Sequence, residues 1–363
     1  MYRDDFLQHK LQERRDSHSL RKLRVVEGMV DFCSNDYLGI ARNGSIEVAG
    51  KGLKSGATGS RLISGNFLLA EQTEEMIAAF HEAETALLFN SGYDANIGLL
   101  ASVPRKGDTV LYDQLSHASI RDGIRLSFAQ SFSFLHNDLD DLEKKIQHAT
   151  GTVFIVTESV FSMDGDRCPL IELTALAEKY GAHLLIDEAH ATGIIGEVGE
   201  GLVQQLQLQG KIFARVHTFG KACGCHGAAV LGSNALREYL INFARSFIYT
   251  TALPEHSVAM IRNSYETFPA MRKEREQLNS LVTQFKSAGL QYELTPSDTP
   301  VQGLIVPGNE AARALATKLQ ASGLDVRPIL YPTVPKGKER LRVVLHAFNT
   351  KEELDLLLNL LQW

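Results

Sequence analysis

The chain has 363 residues, 44% of them hydrophobic and 22% charged, a balance typical of a soluble globular protein with two domains or one large domain and a smaller appendage. Its 37 basic and 43 acidic side chains leave a formal charge of −6, which argues against nucleic acid as the main partner, since phosphate binding calls for a basic face. No apolar run approaches the roughly 20 residues of a membrane span, and the charged start Met1-Tyr2-Arg3-Asp4-Asp5 is unlike a signal peptide, so a cytoplasmic location is expected.

Residues 1 to about 24 read as a basic amphipathic helix, with Phe6, Leu7, Leu11 and Leu20 among Arg14, Arg15, Arg21, Lys22 and Arg24, packed on the body through its leucines. A short strand is expected near Val30 to Asn35, and a helix from Glu71 to Glu84. Strand and helix signals then alternate. Strands are expected at Thr85–Phe89, Thr109–Tyr112, Val153–Thr157, His183–Asp187, Phe213–Thr218 and Gly227–Leu231, with a helix over Ile171–Tyr180. This alternation predicts an α/β layer with a mostly parallel sheet. Beyond residue 255 the texture changes to one long charged helix, Ile261 to Ala288, followed by short strands and a leucine-rich last helix from Lys351. The expected organisation is an N-terminal segment (1–40) joined to a smaller α+β domain (256–363), with a large domain (41–255) between them.

Four cysteines, Cys33, Cys168, Cys223 and Cys225, show no C-x-x-C spacing. His226 follows the last of them, but no second Cys/His pair lies at zinc-finger spacing, and no metal is expected.

The chemistry gathers at strand ends, where open α/β sheets bind ligands. Asp187-Glu188-Ala189-His190 ends an apolar strand, and Thr218-Phe219-Gly220-Lys221 ends the next, with Lys221 34 positions after Asp187. A helicase reading of Asp-Glu-Ala-His requires a phosphate loop ending in Gly-Lys-Ser/Thr. Gly52, Ile212, Ala222 and Glu339 follow the four Gly-Lys pairs, so that reading fails. A lysine among Gly220, Gly224 and Gly227 is instead partly desolvated, with its amine available as nucleophile and base. Paired with a strand-end carboxylate it suits pyridoxal phosphate, which needs an amine for a Schiff base and an anion beside its pyridine nitrogen. Ser91-Gly92-Tyr93 opens a helix and offers backbone N–H groups to a phosphate, although three residues also make an ordinary turn. His117 reads either as a structural histidine or as an imidazole stacked on a planar cofactor.

Together these stretches resemble the α-oxoamine synthases, pyridoxal-phosphate enzymes of the aspartate-aminotransferase-like fold (fold type I). The resemblance is carried by Ser34–Gly39, Gly59–Gly65, Asn90–Asn96, Asp113–Ser119, Phe161–Asp166, Asp187–Gly193, Thr218–Gly227, Pro332–Pro335 and Arg340–Arg342, in the family's order. It implies that Lys221 forms the Schiff base, Asp187 pairs with the pyridine nitrogen and His117 stacks on the ring. Ser162 and His190 fall near the ring hydroxyl. Gly92, Tyr93 and Thr218 hold the phosphate, with Thr250 or Thr251 reaching it from a partner subunit of a homodimer. Asn35 and Arg342 match residues that receive the amino-acid carboxylate, and Arg21 and Thr333 match positions lining the acyl site.

Ser34–Gly39, Phe161–Asp166 and Thr333 favour the member that condenses L-alanine with a pimeloyl thioester, on CoA or a carrier protein, releasing carbon dioxide at the start of biotin assembly. Ile120–Leu126 and Asp187–Gly193 lean toward the member that uses glycine and acetyl-CoA, and Ala222-Cys223 and Ala228 depart from the family's more glycine-rich pattern. An aminotransferase of the same fold would release no carbon dioxide. A non-catalytic partner subunit would usually lack the lysine that stands here at 221.

Overall fold

The computed structural model describes residues 3–46 and 52–362. The first two residues of the expected N-terminal helix, and the Gly50-Lys51 pair, lie outside the described residues.

In chain order, α1 (Asp5–Asp16) and β1 (Val30–Asp31) precede α2 (Ile40–Asn43) and α3 (Leu68–Phe80). An alternating run follows: β2 (Thr85–Phe89), α4 (Gly92–Ser102), β3 (Thr109–Asp113), α5 (Ala118–Leu126), β4 (Gln130–Phe134), α6 (Leu139–Ile146), β5 (Val153–Glu158), α7 (Leu170–Tyr180) and β6 (His183–Asp187). The run ends with α8 (Leu202–Gln205), β7 (Ala214–Thr218) and β8 (Ala228–Gly232). Next come α9 (Asn234–Phe243), α10 (Arg245–Ile248), α11 (Glu255–Thr267) and α12 (Arg272–Ser287). The chain closes with β9 (Val301–Ile305), α13 (Asn309–Ala321), β10 (Leu324–Asp325), β11 (Arg327–Ile329), β12 (Arg340–Val344) and α14 (Lys351–Leu361).

Two compact units result. The larger holds Asn35–Ser162 and Arg167–Arg275; the smaller holds 3–34, Met163–Asp166 and 276–362. A boundary after residue 255 was expected, but α11 belongs to the larger unit. Its Val258, Ile261 and Tyr265 are buried, and Tyr265 meets Phe80 of α3 edge-to-face at 5.3 Å. The single helix expected over 261–288 is also two helices, because Pro269 sits in a 3₁₀ turn, Phe268–Ala270, and cannot donate within a helix.

The larger unit is built on a seven-stranded sheet in the order β2-β8-β7-β6-β5-β3-β4, with β8 antiparallel to both of its neighbours and the other pairings parallel. Its middle strands are continuous apolar runs because both faces are covered. In β6, Leu185 enters one core cluster while Leu184 and Ile186 enter the opposite one. Burying each such side chain stabilises the fold by about 1.5–3 kcal/mol. The register pairs Glu158 with Asp187, and Asp187 with Val216, so the carboxyl ends of β5, β6 and β7 lie side by side. Strand β4, Gln-Ser-Phe-Ser-Phe, was not expected. It is an edge strand exposed at all but Phe134, so its sequence carries no buried pattern.

The smaller unit carries the antiparallel sheet β11-β12-β9 and the parallel pair β1-β10. Helix α14 opens with a capping box in which Thr350 and Glu353 satisfy each other's backbone N–H. Met163–Asp166 is tied into this unit: Thr295 Oγ1 donates to Asp164 O at 2.7 Å, Thr299 Oγ1 to Gly165 O at 2.8 Å, and Arg340 pairs with Asp164. Helix α1 is shorter than expected and buries none of its residues. Phe6, Leu7 and Leu11 are 71%, 49% and 38% exposed, so the expected packing through leucines is not made among the described residues. Among the described residues no helix is long and apolar enough to cross a membrane.

Candidate active site

Five strand ends of the larger unit bear the candidate residues. After β2 the chain turns through Ser91, whose Oγ caps α4 by accepting from Asp94 N at 3.1 Å. The first N–H groups of a helix have no partner inside it, so Gly92 and Tyr93 present donors at the positive end of the helix dipole. A Cβ on Gly92 would lie 3.3 Å from Thr218 Oγ1, so side-chain-free backbone and a hydroxyl form a small cradle there. The Tyr93 hydroxyl is drawn aside to Asp122 Oδ2 at 2.6 Å. Asn90 Nδ2 donates to Thr250 Oγ1 at 3.0 Å and to the Thr251 carbonyl at 2.8 Å, which brings both threonines beside the same turn in this one chain.

Asp187, 7% exposed, ends β6 and accepts from Ala189 N at 2.9 Å and from Asn96 Nδ2 at 2.7 Å. Asn96 uses its second N–H on Ser119 Oγ at 3.0 Å, and Ser119 Oγ lies 2.8 Å from His117 Nδ1. His117 Nδ1 also accepts from Ser119 N, capping α5, so the imidazole carries its proton on Nε2 when neutral. Although His117 is exposed, the protein packed around it lowers its pKa; Asp187 opposes that shift and Lys221 reinforces it. Asp187, Asn96, Ser119 and His117 thus form one continuous polar chain.

His190 is 5% exposed, with Nδ1 2.6 Å from the Tyr37 hydroxyl, which also donates to Asn35 Oδ1 at 3.2 Å. Ser162, 8% exposed, follows β5. Lys221 sits in a tight turn after β7, closed by Gly224 N on its carbonyl at 2.8 Å. That turn needs glycine at 224, where φ is +64° and a Cβ would come 2.5 Å from Ile40.

In the smaller unit, Arg342 lies in β12 and is 9% exposed. Arg21 Nη2 donates to Thr333 Oγ1 at 2.9 Å. Both line a groove of about 940 Å³ with Arg14, Arg15, Arg24 and Arg313, and among the described residues no carboxylate belongs to its lining.

The larger unit therefore brings together Gly92, Tyr93, His117, Ser162, Asp187, His190, Thr218 and Lys221 at neighbouring strand ends, with Asn35 joined to His190 through Tyr37. Asn96, Ser119, Tyr37 and Glu158 went unassigned in the sequence. Glu158 could have been found by the signal that found Asp187, a carboxylate closing an apolar strand. The donor set fits a flat, phosphate-bearing pyridine: a backbone cradle, a buried carboxylate, an imidazole and a lysine amine.

The family model for aminotransferase class I and II matches residues 27–361. The chain is 42% identical to the 8-amino-7-oxononanoate synthase of Emericella nidulans, over 98% of this chain and 94% of that one. Among solved structures, a serine palmitoyltransferase from S. paucimobilis with a bound PLP–myriocin aldimine superposes with a TM-score of 0.88 at 28% identity, covering 99% and 96% of the two chains. The 8-amino-7-oxononanoate synthase of Francisella tularensis superposes with a TM-score of 0.77 at 29% identity, covering 92% and 97%. On the family match and the full-length identity, the chain belongs to the aminotransferase class I and II family, within its pyridoxal-phosphate-dependent α-oxoamine synthases.

Proposed function

We propose that the chain condenses L-alanine with a pimeloyl thioester to give 8-amino-7-oxononanoate, carbon dioxide and the free thiol, a step of biotin biosynthesis. The observation that carries this reading is the Asp187–Asn96–Ser119–His117 chain beside Lys221, in a protein 42% identical over 98% of its length to a relative named 8-amino-7-oxononanoate synthase.

Pyridoxal phosphate, when bound, supplies an electron sink for the carbanion formed at the amino acid's α-carbon. Gly92, Tyr93 and Thr218 would hold its phosphate, with Thr250 and Thr251 beside the same turn. Asp187, oriented by Asn96, would supply a carboxylate to the ring nitrogen. His117, its Nδ1 pinned by Ser119, would stack on the ring. Ser162 and His190, the latter held by Tyr37, would meet the ring hydroxyl. Lys221 Nζ takes the α-proton of alanine and returns a proton to the product carbon after carbon dioxide leaves. Asn35 is assigned to the amino-acid carboxylate. Within the smaller unit, Arg342 carries a planar fork suited to a carboxylate, and Arg21 with Thr333 is assigned to the acyl donor. The protein works in the cytoplasm as a homodimer.

The test crosses alanine, glycine and serine with acetyl, pimeloyl and palmitoyl thioesters, on CoA and on carrier protein, following thiol and carbon dioxide release. Alanine with a pimeloyl donor is expected to dominate. Preference for glycine with acetyl-CoA would replace this substrate assignment, and amino-group transfer without carbon dioxide would remove the condensation.

A further inference from the structure

Glu158 closes β5 in register with Asp187 and is 2% exposed, yet the chemistry above assigns it nothing. Its Oε1 accepts the His117 backbone N–H at 2.6 Å, and its carboxylate also accepts the backbone N–H of Ser162. One side chain thus grips the main chain at two residues from different strand ends, one bearing the imidazole and the other the hydroxyl.

Taking a carboxylate out of water costs several kcal/mol in a protein interior, so an ordinary strand cap would be served at lower cost by a neutral acceptor. What a carboxylate alone provides is two acceptor oxygens with no hydrogen to face either N–H. The neighbourhood makes the group still more costly. Burial, with Asp187 on the next strand, pushes Glu158 up to about 8, against the pull of Lys221 and of the two backbone donors.

We infer that Glu158 is a positioning residue: by holding the His117 and Ser162 backbones together it sets the imidazole and hydroxyl for the cofactor ring. This rests on the pyridoxal-phosphate reading above, and it concerns cofactor retention rather than turnover. Asp187 and Lys221 are the charged groups acting on this carboxylate, and His117 and Ser162 act on it through their backbone N–H groups.

The experiment measures the Kd of pyridoxal phosphate and the visible circular-dichroism band of the bound cofactor in the holoenzyme at about pH 8.5, above the value of about 8 to which Glu158 is pushed. Glu158→Ala loses both bonds and is expected to raise Kd about thirtyfold with a weakened band, whereas Glu158→Gln keeps one acceptor and raises it about threefold. In a His117→Ala background, the Glu158→Ala penalty is expected to shrink to about threefold, because the residue it acts through is gone. Equal weakening by Ala and Gln, or an undiminished penalty in the His117→Ala background, overturns the inference. Should Glu158→Ala not fold, the Glu158→Gln and His117→Ala pair closes the same cycle, and additivity there overturns it as well. A parent protein that binds no pyridoxal phosphate would remove the functional reading itself, an outcome distinct from additivity in a parent that binds it.

Discussion

In the larger unit, Asp187 and Glu158 are 7% and 2% exposed, and hydrogen bonds link Asp187 to His117 through Asn96 and Ser119. In the smaller unit, Arg14, Arg15, Arg21 and Arg24 are exposed along a groove, and Arg21 is held by one bond to an exposed hydroxyl, that of Thr333. The first arrangement is stiff, because a buried polar group left unpaired costs about 1–3 kcal/mol, so every member fixes the next. The second is adaptable, because exposed charges are screened and each contributes little alone. Chemistry shared by every member of a family belongs on the stiff kind of site. Recognition of a variable acyl donor belongs on the adaptable kind.

Four measurements would break or sharpen that contrast. The largest effect is expected at the centre of the stiff site: Lys221→Ala should lose about 10⁴-fold or more in turnover and abolish the visible absorbance of the bound cofactor. A variant keeping both would remove Lys221 from the chemistry. Asn96→Ala, which cuts the link between Asp187 and Ser119, should lower kcat about thirtyfold with the thioester KM little changed. If kcat holds, the polar chain is packing only.

On the adaptable side, Arg21→Ala should raise the thioester KM about tenfold and leave kcat within about twofold, with the difference shrinking in high salt. A kcat loss of the Asn96 size would erase the distinction between the two regions. The smallest effect concerns stability. Burial pushes Glu188, on the residue after Asp187, up to about 7 from an ordinary 4.5. Between those values the folded chain holds a proton that the unfolded chain has released, so the group's stabilising share is full below 4.5 and lost as pH rises through about 7. The stability of the parent relative to Glu188→Gln should therefore fall across that window by about 1–3 kcal/mol, and parallel Tm curves for the two proteins would contradict it.

The sequence by itself determined the β/α alternation, six strands of the larger unit within a residue of their observed ends, and the strand-end positions of Asp187 and Lys221. Apolar runs of strand length ending in Asp187 and Thr218 are local signals, written within a few adjacent residues. Strand β4 was hidden because an edge strand needs no buried face, and the break at Pro269 was passed over inside a charged helical pattern. Helix α1 carries an amphipathic pattern that finds no cover among the described residues. Only the tertiary structure decided that Asn96 lies between Asp187 and Ser119, that Tyr37 holds His190, and that Glu158 grips His117. Those contacts join residues 23 to 153 positions apart, and in the unfolded chain nothing about an asparagine or a tyrosine announces its partner. The parallel sheet makes them neighbours by aligning its carboxyl ends, and burial then obliges each polar atom to find the next.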